Sequence, residues 1–106
     1  VSKISKTLER VLSQHLEMTV SRYSADVKWD KKTGKGTSIW QYQVCFSNGF
    51  QRKYYQGRAR SFLKALRYAV AQFDSGAIGV VDCEDDYRQA LERAKFRRPN
   101  EAQVGD

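Results

Sequence analysis

Trp40, Tyr42, Val44 and Phe46 occupy alternate positions of one run, Gln41, Gln43 and Cys45 fill the gaps, and Asn48-Gly49 follows directly. A period of two puts the large apolar side chains on one face of a strand and the glutamines on the other. Asn-Gly is the strongest short hairpin signal, because both residues tolerate positive φ. The chain must therefore contain an antiparallel sheet with one buried and one polar face, residues 50–57 returning as the partner strand. A two-residue loop sets Arg52, Tyr54 and Gln56 beside Gln41 and Gln43. A three-residue loop with a glycine bulge sets Gln51, Lys53 and Tyr55 there instead.

The neighbouring segments supply the rest of the layer. Tyr23, Ala25, Val27 and Trp29 alternate with Arg22, Ser24, Asp26 and Lys28, which predicts a first strand. Residues 30–37, with three lysines and two glycines, form a loop. Ahead of them, Ile4, Leu8, Val11, Leu12, His15 and Leu16 share one helical face, predicting a helix over about residues 3–17 with His15 as a half-buried packing residue. After the sheet, Ser61 reads as an N-cap, and Phe62, Ala65, Leu66, Ala69, Val70 and Phe73 form a stripe that can cover the aromatic row, with Gly76 as the stop.

Residues 77–81 read as a connection or a fourth strand. A last helix starts at Asp82, is acidic in its first turn and basic in its last, and is expected to end at Pro99. The sum is an α+β fold: an N-terminal helix, a three-stranded antiparallel sheet, a helix on one sheet face and an extra C-terminal helix. One domain over residues 1–98 is expected, with 99–106 as a mobile tail; 106 residues can bury one modest core.

Chemistry is constrained mostly by what the chain lacks. His15 is the single histidine, and Cys45 and Cys83 form neither a C-x-x-C nor a disulfide framework, so no zinc site and no histidine-based triad is expected. Nucleotide-binding glycine motifs are missing. The acidic residues Asp82, Glu84, Asp85 and Asp86 are accounted for by helix capping, although a metal-dependent nuclease would use Asp85 or Asp86. We read a binding protein rather than an enzyme, with no cofactor and no metal. Reduced cysteines and an opening segment without a signal-peptide core predict an intracellular, cytoplasmic setting, with the nucleoid or nucleus if DNA-bound. No apolar run reaches membrane-spanning length.

Charge points to the partner. Residues 1–74 hold 14 Lys and Arg against five Asp and Glu, while residues 75–106 hold five against seven. Residues 50–68 carry six cations and no acid, interleaved with Tyr54 and Tyr55, and Lys31, Lys32 and Lys35 cluster in the glycine-rich loop. Such a surface suits a polyanion.

Val27, Trp29-Asp30-Lys31-Lys32, Trp40, Asn48-Gly49, Gly57, Ser61, Ala65, Tyr68, Ala69 and Asp74 carry a resemblance. Over residues 25–74 the chain resembles the integrase-type, or ethylene-response-factor-type, DNA-binding domain. That resemblance implies a three-stranded sheet lying in the DNA major groove, backed by one helix. It departs from the family in its first strand, where the family usually has Arg and where Arg22 and Lys28 are this chain's expected DNA contacts, and in the long loop after Trp29. The order of elements is also similar to a double-stranded-RNA-binding domain. Only Ser61 and Ala65 match that family's last-helix motif, and Phe62 and Leu63 replace its phosphate-binding lysines.

The expected partner is therefore duplex DNA, met by the polar sheet face of a monomer or weak homodimer. Lys31, Lys32, Lys35, Arg58 and Arg60 would grip phosphates, Gln41, Gln43 and Arg52 or Lys53 would read base edges, and Tyr54 or Tyr55 would pack on sugars. Trp29 and Trp40, in phase with the apolar row, read as core residues or as base and sugar contacts. The alternatives are an inhibitor or adaptor for an acidic protein surface and a duplex-RNA module.

Overall fold

The structure is a computed structural model that describes residues 3–105, with side chains described for 3–96. Its elements are α1 (Lys3–Leu12), β1 (Glu17–Trp29), β2 (Gly36–Asn48), β3 (Lys53–Ala59), α2 (Phe62–Ser75), β4 (Gly79–Val81) and α3 (Glu84–Gly105). The α+β expectation holds, but the sheet has four strands in the order β1-β2-β3-β4 and is mixed. β4 runs parallel to β3, with Tyr55 opposite Gly79 and Gly57 opposite Val81. Parallel neighbours need a crossover, and α2 is that crossover. Residues 77–81 are thus both of the things the sequence allows, a connection and then a short strand.

α1 is shorter than its apolar stripe suggests. It ends at Leu12, and His15 adopts left-handed backbone (φ 62°), turning the chain so that Leu16 enters the core and β1 begins at Glu17. His15 is consequently exposed, not half-buried. Its carbonyl accepts a hydrogen bond from Asn48 Nδ2 at 3.1 Å, and Asn48 Oδ1 accepts one from the backbone N–H of Gln51 at 3.1 Å. Asn48 therefore shapes the β2–β3 turn with its side chain, and the left-handed residue in that turn is Arg52 (φ 53°).

The loop spans four residues, since Asn48 pairs with Lys53 and Gln43 with Arg58. Neither of the two loop lengths read from the sequence is the one adopted. The faces nevertheless follow the two-residue reading: Tyr54, Gln56 and Arg58 lie with Gln41 and Gln43, whereas Tyr55, Gly57 and Ala59 lie with Val44 and Phe46.

Both first helices serve that apolar face. Val11 of α1 and Ala65, Leu66, Tyr68 and Ala69 of α2 join Val44, Phe46, Tyr55 and Val81 in one buried cluster. Arg10 fastens α1 to α2 through a two-pronged ion pair with Asp74, at 2.6 and 3.2 Å. Ser61 caps α2 by accepting from the Lys64 N–H, and Gly76 closes it in left-handed conformation, its N–H bonded to the Phe73 carbonyl. α2 lies so close to β3 that a Cβ on Gly57 would sit 2.2 Å from the Ala65 carbonyl oxygen and 2.5 Å from the Ala69 nitrogen.

α3 packs on α2, with Ala90 and Ala94 buried and the Tyr87 ring 5.0 Å from that of Tyr68. It continues across Pro99 to Gly105, where the sequence expects a stop, although Pro99 has no N–H to donate. The side chains of the expected tail lie outside the described residues. Among the described residues no helix is long and apolar enough to cross a membrane.

Candidate nucleic-acid interface

β1 and β2 are 13 residues each, while β3 has seven and pairs with β2 no further than Tyr42. The remainder, residues 24–41, projects as a two-stranded arm, and every residue of 24–38 is exposed. A bulge leaves Ala25 unpaired between Ser24 and Asp26, after which Val27 faces Ser38 and Trp29 faces Gly36. Bulges of this kind sharpen strand twist and re-aim the side chains beyond them.

The tip of the arm is an ordered loop. Asp30 Oδ1 accepts from the Lys32 N–H at 2.8 Å, Thr33 Oγ1 accepts from the Lys35 N–H at 3.3 Å, and the Gly34 N–H donates to the Asp30 carbonyl at 2.8 Å. Gly34 takes left-handed backbone (φ 71°), the conformation glycine adopts without a steric cost. These bonds hold Lys31, Lys32 and Lys35 on one short turn. Among the described residues no salt bridge engages these three lysines, so they form the densest group of unpaired cations.

The second group lies where β3 ends. Arg58 is on the polar sheet face, its Nε donating to Gln43 Oε1 at 3.2 Å, and Arg60 is exposed just before α2. At the usual strand rise of ~3.3 Å per residue, about five to seven residues of β2 separate this group from the arm tip, or roughly 20 Å. Lys64, in the first turn of α2, is already committed. It pairs with Glu84 at 3.0 Å, and Tyr68 Oη donates to the same carboxylate at 3.0 Å. The hydrogen bond with Glu84 raises the Lys64 pKa, and the hydrogen bond with Lys64 lowers that of Glu84. Glu84 thus serves the α2–α3 contact besides opening its helix.

The remaining sequence-selected residues divide by position. Gln41 and Gln43 share the polar face and are half-buried, Gln41 Oε1 accepting from Tyr23 Oη at 3.0 Å. Their carbonyl oxygens are thereby occupied while their amide N–H groups remain for a partner. Lys28 stands on the same face near the tip, and Tyr54 is exposed on it opposite Ser47. Arg52 and Lys53 are at the far end of the sheet, at the β2–β3 turn, about 40 Å of strand from the tip.

Tyr55 is a core residue, 7% exposed with its ring edge-on to Phe73 at 5.4 Å, so it can reach no external ligand. Arg22 is on the apolar face, its guanidinium 4.7 Å from the Trp40 ring. The polar face as a whole is close to neutral, Lys28 and Arg58 being balanced by Glu17 and Asp26. Positive charge resides at the edges and ends of the sheet, not over its surface.

No family model, curated protein or solved structure matches this chain.

Sequence reasoning missed the arm. Trp29 and Trp40 follow the apolar row in phase, yet they lie beyond the reach of the helices and are 68% and 44% exposed. No signal in the alternation marked it, since the runs 23–29 and 40–46 are no longer than 50–57, whereas the observed strands are 13, 13 and seven residues long.

Cys45 and Cys83 are both free. Burial pushes the Cys45 thiol up, opposed by hydrogen bonds from Ser47 and Thr19. Cys83 is exposed at the start of α3. A thiol-reactive dye at neutral pH is expected to label Cys83 at least tenfold faster than Cys45, since thiolate fraction and access set the rate. Mass mapping of the labelled peptides checks this.

Proposed function

We propose that the protein binds duplex nucleic acid by laying its two-stranded arm into a groove. Lys31, Lys32 and Lys35 take phosphates on one rim, and Arg58 and Arg60 take phosphates on the other. The observation that carries this reading is the fixed spacing of two cation groups, roughly 20 Å apart, which is the scale of a ~12 Å major groove with its phosphate rims. A two-stranded ribbon is one of the elements that groove admits. Between the two groups the polar face of the arm presents Lys28, Tyr23 and the amide groups of Gln41 and Gln43, suited to base edges, where glutamine pairs with adenine. The docking surface is then the polar face of the arm and its base, with Arg52 and Lys53 outside it.

The groove reading favours B-form DNA, because the major groove of A-form RNA is too deep and narrow for side chains to read. Titration of the full chain against duplex DNA, duplex RNA and single strands at two salt concentrations tests the reading. Binding to a duplex is expected, with log K falling by ~0.9 per log unit of salt for each phosphate engaged on B-form DNA. Affinity that ignores salt would refute it and would favour a protein partner.

A further inference from the structure

The arm has a second face, which the duplex reading leaves unused. On the side of α2 it carries Val27, Trp29, Arg22, Trp40 and Tyr42 in register, with Trp29 lying over Gly36, where a Cβ would come within 2.9 Å of its ring. Where the arm meets α2 the surface turns a corner. Tyr42 touches the Phe62 ring edge-on at 6.1 Å, and Phe62 and Leu63 in the first turn of the helix are both exposed. Arg22 lies within this corner over Trp40.

The carboxylates nearby are turned elsewhere. Asp26 is on the opposite face, Asp30 caps the tip loop, and Glu84 is held by Lys64 and Tyr68. A surface of flat rings around a cation without a facing acid repels a second copy, whose own Arg22 would enter the same corner. It attracts a partner that is planar, apolar on its faces and anionic along its chain.

We infer that this corner holds unpaired bases of a strand leaving the duplex, so that the protein prefers a duplex bearing a single-stranded extension. The inference rests on the duplex reading. One base stacks on Trp29, and another further along the strand stacks on the open side of the Arg22 guanidinium above Trp40, roughly 20 Å of β-ladder away. Stacking of bases on aromatic and guanidinium planes tolerates any sequence, because every base has a π-face. The arm thus acts as a wedge, with a groove on one side and a strand end on the other.

Trp29 and Trp40 are the two tryptophans of the chain, so intrinsic fluorescence reports on this face directly. The experiment compares a blunt DNA duplex, the same duplex with a six-nucleotide extension and the isolated strand, using anisotropy for affinity and tryptophan emission for contact. The extended duplex is expected to bind about tenfold tighter than the blunt one and to quench the emission. Trp29→Ala is expected to erase that preference while changing blunt-duplex affinity less than twofold, and Trp29→Phe to restore most of it. Because Trp29 lies outside the core, circular dichroism of both variants should match that of the unsubstituted chain.

Equal affinity for blunt and extended duplexes with unquenched emission overturns the inference and leaves the duplex reading standing. Failure to bind any of the three overturns both. Concentration-dependent emission with dimer formation in sedimentation assigns the face to a second copy and also overturns it.

Discussion

Gly57→Ala is expected to destabilise the fold by about 3 kcal/mol or more, at the upper end of overpacking costs. The added methyl would meet the Ala65 carbonyl oxygen and the Ala69 nitrogen at well under van der Waals distance, and both atoms belong to the backbone of α2. A flexible side chain can swing aside, but a helix backbone must move as a body. Ala65 and Ala69 are themselves fully buried. Small residues on both sides are what let α2 sit so close to β3.

Moving α2 outward would loosen Val44, Phe46 and Tyr55 beneath it. In a domain of this size each kcal/mol shifts the midpoint by roughly 4–8 °C, so a fall of at least ~12 °C is expected in a thermal melt. Gly49→Ala is the matched control, because nothing lies within 4 Å of its would-be Cβ. It should change stability by less than about 0.5 kcal/mol. If Gly57→Ala melts where Gly49→Ala does, the close approach of α2 to β3 is wrong.

Replacing Lys31, Lys32 and Lys35 together by alanine is the second large effect. Each lysine that meets a B-DNA phosphate contributes ~0.9 to the salt slope, so the triple variant should lose about 2.7 from it. If those contacts vanish near 1 M salt, the loss at 0.1 M is about 500-fold in affinity by the same slope. The melting temperature should hardly move. The loop is ordered by Asp30, Thr33 and Gly34, which the variant keeps, and the lysine side chains are exposed. An unchanged slope would remove the arm tip from the interface. A lowered slope together with a lowered melting temperature would mean that the loop itself had collapsed.

Periodicity made the layers legible, and what it could not encode was reach. The alternation from Trp40 to Phe46 and the stripe from Phe62 to Phe73 identified the facing surfaces correctly, because burial on one side leaves a period in the sequence. Ser61 and Gly76 marked the ends of α2 for reasons local to the chain. Asn48-Gly49 marked a turn, but the loop is two residues longer than the shortest form, with Asn48 acting through its side chain and Arg52 supplying the left-handed residue.

The parity of a strand survives such a change of loop by two residues, and so Tyr54 and Tyr55 went to opposite faces as one register required. Trp29 and Trp40 show the limit. Alternation gives the side of the sheet a residue occupies, while exposure depends on where α1 and α2 end. The charge of the polar face was hidden for a related reason: lysines adjacent in sequence lie at the tip, whereas the face draws its few charges, of both signs, from β1 and β3 on either side of an uncharged β2.

The short parallel strand β4 has a consequence for how the molecule assembles. The β1–β2 and β2–β3 pairings join segments adjacent along the chain and can zip from their turns. Gly79, Val80 and Val81 can find β3 only after the intervening helix has folded back over the layer. Closing that last rung therefore waits on the long-range loop, with its entropic cost, and comes late in assembly. Until then the outer margin of β3 stays unsatisfied, and a nascent chain paused before residue 79 would offer it to neighbours as a template for misassembly.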